Sequence, residues 1–237
     1  MKKAMIIGAS SGIGKALAKQ LSAAGVEVGL AARRYELLAK LRDDLPGPSY
    51  IKKVDTADSE RSSILLKELL DEMNWADAVF ICSGVGYLEG EMDWSKEKET
   101  IDVNVTGFVS CSNVLMEHFI ENGRGHLVGI SSIAALRGSG GAVTYAASKA
   151  FVSNYLKGLR QKVKKLGYDE IAVTEIQPGF VDTALAKGDH LFWSASPEKA
   201  AAQIISAVQK KEDARIYYEE MAADLLDFKM SSLEVQP

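Results

Sequence analysis

Short apolar runs alternate along the chain with longer amphipathic stretches. The runs are Ala4–Ile7, Val26–Ala32, Tyr50–Val54, Ala78–Cys82, His126–Ile130 and Ile171–Ile176. Each is brief, bounded by Gly, Pro, Asp or Ser, and mostly rich in β-branched residues, a pattern that predicts buried strands. The stretches between them carry helical periodicity. Leu17, Leu21 and Ala24 are expected on one helical face after the first run, and Ile64, Leu65, Leu69 and Leu70 on another after the third. Strand–helix repetition with strands apolar on both faces predicts an α/β fold: a doubly wound, mostly parallel sheet with helices on both sides. In such sheets ligands bind beyond the carboxyl ends of the strands.

No shift in composition divides the chain, so residues 1–237 are read as a single domain with a short substrate-side loop or lid at about 184–196. Pro46-Gly47-Pro48 predicts a turn before the third strand. The helix that contains Tyr145 continues through Phe151, Tyr155 and Leu159, an apolar stripe suited to a core or an interface, with core preferred. Ile216–Met230 is amphipathic and suits closure of a pocket or a subunit contact. A net charge of −4 gives no general attraction to nucleic acid or anionic lipid. Two cysteines and three scattered histidines lack metal-type spacing, so no metal site is expected, and Cys82 and Cys111 are read as small buried residues. No run approaches a membrane span, and Ala4–Ile7 is too short for a signal sequence; a cytoplasmic protein is expected.

Candidate chemistry begins at the first strand, which runs into Gly8-Ala9-Ser10-Ser11-Gly12-Ile13-Gly14 and then a helical pattern. Small residues let the backbone turn tightly and let phosphate oxygens approach N–H groups at the positive end of a helix. The second strand ends in Ala31-Ala32-Arg33-Arg34. An acid at this place would bind a ribose diol; two guanidiniums instead suit a 2′-phosphate, which points to NADP(H) in preference to NAD(H). Later, Tyr145 and Lys149 stand four residues apart, hence on one helix face, and Ser132 follows the fifth strand. A phenol near a cation suits proton exchange, because a positive neighbour lowers its ordinary pKa of about 10. Ser132 would hold a substrate oxygen by a hydrogen bond.

With these motifs in this order, the sequence resembles the single-domain short-chain dehydrogenase/reductase family, from the first strand to at least Thr183. The resemblance implies a Rossmann-type fold and an NAD(P)-dependent oxidoreductase acting on CH–OH or C=O groups. It implies catalytic roles for Asn104, Ser132, Tyr145 and Lys149: a proton relay, the substrate oxygen, proton transfer and the nicotinamide ribose. It places the cofactor on Gly8, Ser10, Ser11, Gly12, Ile13, Gly14, Arg33, Arg34, Asp55, Thr56, Ser83 and Gly84, together with Asn104, Tyr145, Lys149, Pro178, Gly179, Val181 and Thr183. Substrate contacts fall on Ser132, Leu136, Tyr145, Phe180, Leu185, Phe192 and Trp193. Arg137 and His190 are read as solvent-facing. The chain departs from the family in having Ile7 before the first glycine and Ile81-Cys82-Ser83-Gly84 where Asn-Asn-Ala-Gly is usual. Members of the family commonly form homodimers or tetramers. The rival reading is a noncatalytic NADP-binding regulator of the same fold, which would have little reason to retain all four chemical groups.

Overall fold

The computed structural model describes residues 1–87, 93–182 and 195–210 in full and the backbone of 215–217. Seven strands, β1 (Lys3–Ile7), β2 (Glu27–Ala32), β3 (Ser49–Lys53), β4 (Ala78–Ile81), β5 (Gly125–Ile130), β6 (Ile171–Gln177) and β7 (Arg215–Tyr217), form one sheet in the order β3-β2-β1-β4-β5-β6-β7. Every neighbouring pair is parallel. The six predicted strands are present, each shifted by a residue or so at its ends. The seventh was not foreseen: Ile216 and Tyr217 lie in an edge strand beside β6, and residues 218–230 of the expected amphipathic stretch lie outside the described residues.

The intervening helices are α1 (Gly12–Ala23), α2 (Tyr35–Asp43), α3 (Ser59–Met73), α4 (Trp94–Ile101), α5 (Phe108–Asn122), α6 (Val143–Lys165) and α7 (Pro197–Gln209). Alternation along the strands divides the core into two layers. Met5, Ile7, Val79 and Ile81 pack against α3, α5 and α6, whereas Ala4, Ile6, Val28, Leu30 and Phe80 pack against α1, α2 and α7. This is the doubly wound arrangement the pattern implied.

Three helical faces differ from expectation. On α3 the buried residues are Ser62, Leu66, Leu69, Leu70 and Met73, while Ile64 is exposed, because the face that meets the sheet is one position further round. Ala24 lies past the end of α1 and is exposed. On α6 the core face is Ala146, Lys149, Val152, Ser153, Leu156 and Val163. Phe151 is exposed and stacks on Tyr155, ring centroids 5.9 Å apart, whereas Tyr155 and Leu159 pack against the edge of the core, so only Phe151 departs from the expected core stripe.

At the amino end of the sheet, Asp77 Oδ2 accepts hydrogen bonds from Lys2 N at 2.5 Å and Lys3 N at 3.0 Å, and its Oδ1 accepts from Trp75 Nε1 at 2.9 Å. The residue just before β4 thereby fastens the start of β1.

Candidate active site

The carboxyl ends of β1, β2, β4, β5 and β6 open on one side of the sheet, and there the glycine loop turns. Gly8 takes a φ of 92° and donates to Ala31 O at 2.7 Å. A side chain at Gly8 would strike the backbone of Cys82 and Ser83, and one at Gly14 would strike Gly8 O. These contacts require glycine and keep the loop backbone bare toward the crevice. Ser11 is the N-cap of α1, yet its side chain accepts nothing from the first turn of the helix. Ser83 Oγ, beside Gly8, is buried and has no hydrogen-bond partner among the described residues. Uncapped N–H groups at a helix start and an unpaired hydroxyl fit an anionic, hydroxyl-rich ligand such as a dinucleotide.

The two arginines after β2 diverge. Arg34 donates from Nη2 to Ser10 Oγ at 2.9 Å and to Ser11 Oγ at 2.7 Å, bracing the glycine loop from outside. Arg33 reaches across to α4, where Nη1 pairs with Glu99 Oε1 at 2.9 Å. Asp55 is exposed and turns its carboxylate onto its own loop, accepting from Ala57 N at 3.1 Å. The neighbouring Thr56 is buried, its carbonyl so close to Gly107 that no Cβ fits there.

Across the crevice, Ser132 ends the link from β5 and caps a short 3₁₀ turn, Ile133–Leu136, its Oγ accepting from Ala134 N at 3.1 Å. Ser132 also lies near enough to the phenol of Tyr145 to favour its ionised form. Ser131 faces the other way and donates to Glu175 Oε1 at 2.7 Å. One turn along α6 from Tyr145, Lys149 Nζ lies 5.7 Å from the phenol ring centroid and donates to Ile130 O at 3.0 Å. Asn104 sits in a π-helical turn, Asp102–Gly107, between α4 and α5. Its amide clamps Val85 from both sides, Oδ1 accepting from Val85 N at 2.9 Å and Nδ2 donating to Val85 O at 2.7 Å, and it also reaches Ser148 Oγ at 3.0 Å. Gly84 lies between the two groups: a Cβ there would stand 3.4 Å from Lys149 Nζ and 3.5 Å from Asn104 Oδ1.

The electrostatics differ from the sequence expectation in one respect. Burial pushes the Tyr145 phenol above its ordinary value, and the nearby Ser132 only partly opposes this. Burial also lowers Lys149 to about 8. The lysine cation was expected to depress the phenol, but burial dominates here and only the nearby Ser132 opposes it, because the site is enclosed by protein on most sides. A cation lying against the phenol in the loaded crevice is what could reverse the shift. Burial likewise carries Cys82 and Cys111 to about 12, so both thiols are protonated at neutral pH.

The lysine shift predicts a pH effect on stability. The unfolded lysine titrates near 10.5 and the folded one near 8, so between these values the unfolded chain binds more protons and the parent gains stability as pH rises. A Lys149→Met protein lacks this slope. Urea melts of both cofactor-free proteins from pH 7 to pH 10 are expected to show the parent gaining on the variant by up to about 3 kcal/mol. Parallel pH profiles would contradict it.

At the mouth of the crevice Leu136, Arg137 and Phe180 are exposed. Pro178 accepts from Ile133 N at 3.0 Å through its carbonyl, and Gly179 follows it. Val181 is buried, so only its backbone is available to a ligand. Asp182 N donates to Ala195 O and Ala195 N to Phe180 O, both at 3.0 Å. These bonds close the neck of the segment expected to be a lid. Thr183, Leu185, His190, Phe192 and Trp193 lie outside the described residues, as does most of that segment.

Sequence reasoning missed a buried network behind the site. Glu175 Oε1 accepts from Ser131 Oγ and, at 2.8 Å, from Gln177 Nε2, while Oε2 lies 4.0 Å from Arg160 Nη2 of α6. An acid inside an apolar strand was the available signal. Among the described residues no helix is long and apolar enough to cross a membrane, and no group of His, Cys, Asp or Glu could hold a metal ion.

A parallel doubly wound sheet with a bare glycine turn at one strand end, and a hydroxyl, a phenol and an ammonium at another, suits proton and hydride chemistry on a dinucleotide, and comparison with known proteins gives the class directly: an oxidoreductase. Residues 2–191 match the short chain dehydrogenase family, and the chain belongs to that family. It is 36% identical over 189 residues to an uncharacterised oxidoreductase of Myxococcus xanthus, covering 78% of this chain and 74% of that one. A short-chain dehydrogenase from Streptomyces avermitilis shares the fold with a TM-score of 0.84 at 25% identity, over 98% of this chain and 93% of that one. Another, from Sphingobium yanoikuyae and solved with NADPH, gives a TM-score of 0.81 at 20% identity, over 100% and 97%.

Proposed function

We propose that this protein is an NADP(H)-dependent oxidoreductase that interconverts a carbonyl compound and its secondary alcohol, with Tyr145 as the proton-transferring acid and base. The observation that carries the reading is the grouping of Ser132, Tyr145 and Lys149 at the strand ends across from a bare glycine turn. The bound cofactor supplies or accepts the hydride. Gly8, Gly12 and Gly14 give its phosphates access to backbone N–H groups, and the uncapped start of α1 favours their charge. The unpaired Ser83 hydroxyl is buried beside Gly8.

Ser132 holds the substrate oxygen, and the Tyr145 hydroxyl beside it donates its proton to that oxygen in reduction. Lys149, anchored on Ile130 O, keeps positive charge beside the phenol and restrains the ribose. Asn104 fixes the backbone at Val85 and so shapes the wall next to Lys149. Exposed Leu136 and Phe180 give the mouth an apolar rim, which suits a carbonyl carried on a hydrophobic body. A panel of ketones and aldehydes, followed by NADPH oxidation, tests the reading; absence of turnover across the panel despite tight cofactor binding would return weight to a regulatory role.

Cofactor choice rests on Arg33, whose guanidinium can hold a 2′-phosphate by charge-assisted hydrogen bonds. NADPH is expected to bind more tightly than NADH, and Arg33→Ala to remove most of the difference, about 1.5–3 kcal/mol or roughly 10–150-fold. Fluorescence titration of both cofactors measures it. Equal affinities in the parent would defeat the assignment.

A further inference from the structure

Arg33 and Glu99 are 66 residues apart in sequence, one in the link after β2 and the other on α4, and nothing in their local structure forces them together. Their ion pair joins the end of β2 to α4 at 2.9 Å, with both side chains partly exposed. Glu99 is held from its other side as well, since Oε2 accepts a short hydrogen bond from the Tyr87 hydroxyl. Tyr87 and Arg33 together pull the carboxyl below its ordinary range, so it is ionised at neutral pH. Arg34, by contrast, is engaged by two neutral serine hydroxyls. Of the two guanidiniums beside the glycine loop, the one with an acid on it is the one that faces α4.

We propose that Glu99 is a selectivity-setting counter-charge: it occupies Arg33 in the free protein, competes with a 2′-phosphate for that guanidinium, and thereby narrows the preference for NADP(H) over NAD(H). The inference rests on Arg33 being the phosphate ligand. A 2′-phosphate arriving at Arg33 must displace Glu99 or share its donors with it, and in either case two anions meet. NAD(H), with no phosphate there, leaves the pair undisturbed. Glu99 thus weakens one cofactor and spares the other, while Tyr87 keeps the carboxylate from swinging clear.

The size follows from the exposure of the pair. An exposed ion pair contributes little, so freeing Arg33 from it corresponds to about two- to fivefold in affinity. Removing a negative charge close to a doubly charged phosphate adds to that, more at low salt than at high. Glu99→Gln is therefore expected to tighten the phosphate-bearing ligand by about three- to tenfold.

Calorimetric titration with 2′,5′-ADP and with 5′-AMP isolates the effect from turnover. In Glu99→Gln the 2′,5′-ADP affinity is expected to rise by that factor and the 5′-AMP affinity to stay unchanged. Glu97→Gln, which removes the same charge from the same helix, is expected to do much less. A merely structural tie between β2 and α4 would weaken both ligands together and lower the melting temperature, and that result overturns the proposal. So does an unchanged or weaker 2′,5′-ADP affinity, or an equal gain in Glu97→Gln. Should the parent fail to distinguish 2′,5′-ADP from 5′-AMP, the phosphate role of Arg33 falls and the proposal with it. Should Arg33→Ala abolish a clear preference while Glu99→Gln changes nothing, only the role of Glu99 falls.

Discussion

Tyr145→Phe is expected to lower kcat for carbonyl reduction by about 10²–10⁴-fold, or roughly 3–5 kcal/mol of barrier, with NADPH affinity unchanged. The substitution keeps the ring and its packing and removes only the hydroxyl that lies near Ser132. Ser132 can still hold the substrate oxygen, and the glycine loop is untouched, so the loss falls on proton transfer alone. Direction matters too. Burial holds the phenol above its ordinary range, so at neutral pH Tyr145 is an acid ready to donate. Alcohol oxidation needs the phenolate instead, and its rate is expected to climb with pH well past neutrality in the parent and to lose that dependence in the variant. Steady-state rates in both directions from pH 6 to pH 10 provide the check. Retained reduction in Tyr145→Phe would remove the tyrosine from the chemistry.

Glu175→Ala is expected to be the most damaging single change outside the crevice, lowering stability by about 3–5 kcal/mol. Glu175 is fully buried, and its carboxylate serves Ser131, Gln177 and, at longer range, Arg160. Truncation leaves a cavity, reduces Ser131 and Gln177 to their longer bonds with Ile176 O and Ser153 Oγ, and takes the counter-charge from an Arg160 guanidinium that keeps only Val173 O at 3.3 Å. For a chain of this length the loss corresponds to a fall in Tm of roughly 6–20 °C. Glu175→Gln preserves the shape and one acceptor oxygen and should recover part of the loss. Differential scanning calorimetry of the two variants distinguishes them; a Glu175→Ala protein that melts with the parent would show that the network carries no stability. Ser131 is bonded through its neighbour to the site, so residual activity in Glu175→Gln also reports how firmly Ser132 is held.

The strands were legible because the central ones are short and apolar on both faces, a combination that leaves a parallel sheet as the economical solution. β7 was not, because Arg215–Tyr217 is three residues long and its pairing partner lies in another part of the chain. Ile64 and Phe151 were placed on inner faces because periodicity gives a helix's apolar side only to within a residue or so, and tertiary packing chooses among neighbouring rotations. The glycine turn and the one-turn separation of Tyr145 and Lys149 are local properties that spacing carries, whereas the preference for Ser132 over Ser131 came from the resemblance to the family. Glu99 could not be read in either way. In Lys96–Asp102 it stands among alternating charges, where a solvated helix is the ordinary reading. What distinguishes it is contact with Arg33 and Tyr87 from other parts of the chain. The phenol's shift was misjudged for a related reason: spacing reveals a nearby cation but not how much water the fold removes.

The fastening of Lys2 and Lys3 by Asp77 bears on how the molecule is made. β1 is near the middle of the sheet, but its partner β4 begins only at Ala78. A chain emerging from the ribosome can therefore lay β2 against one edge of β1 while the other edge waits, apolar and unpaired, for tens of residues. Asp77 is the first residue able to end that interval. Its carboxylate meets two amides of the opening segment just as β4 comes into register. Substitution there should show itself less in the finished enzyme than in yield, as nascent chains with a longer-lived open edge are lost to aggregation.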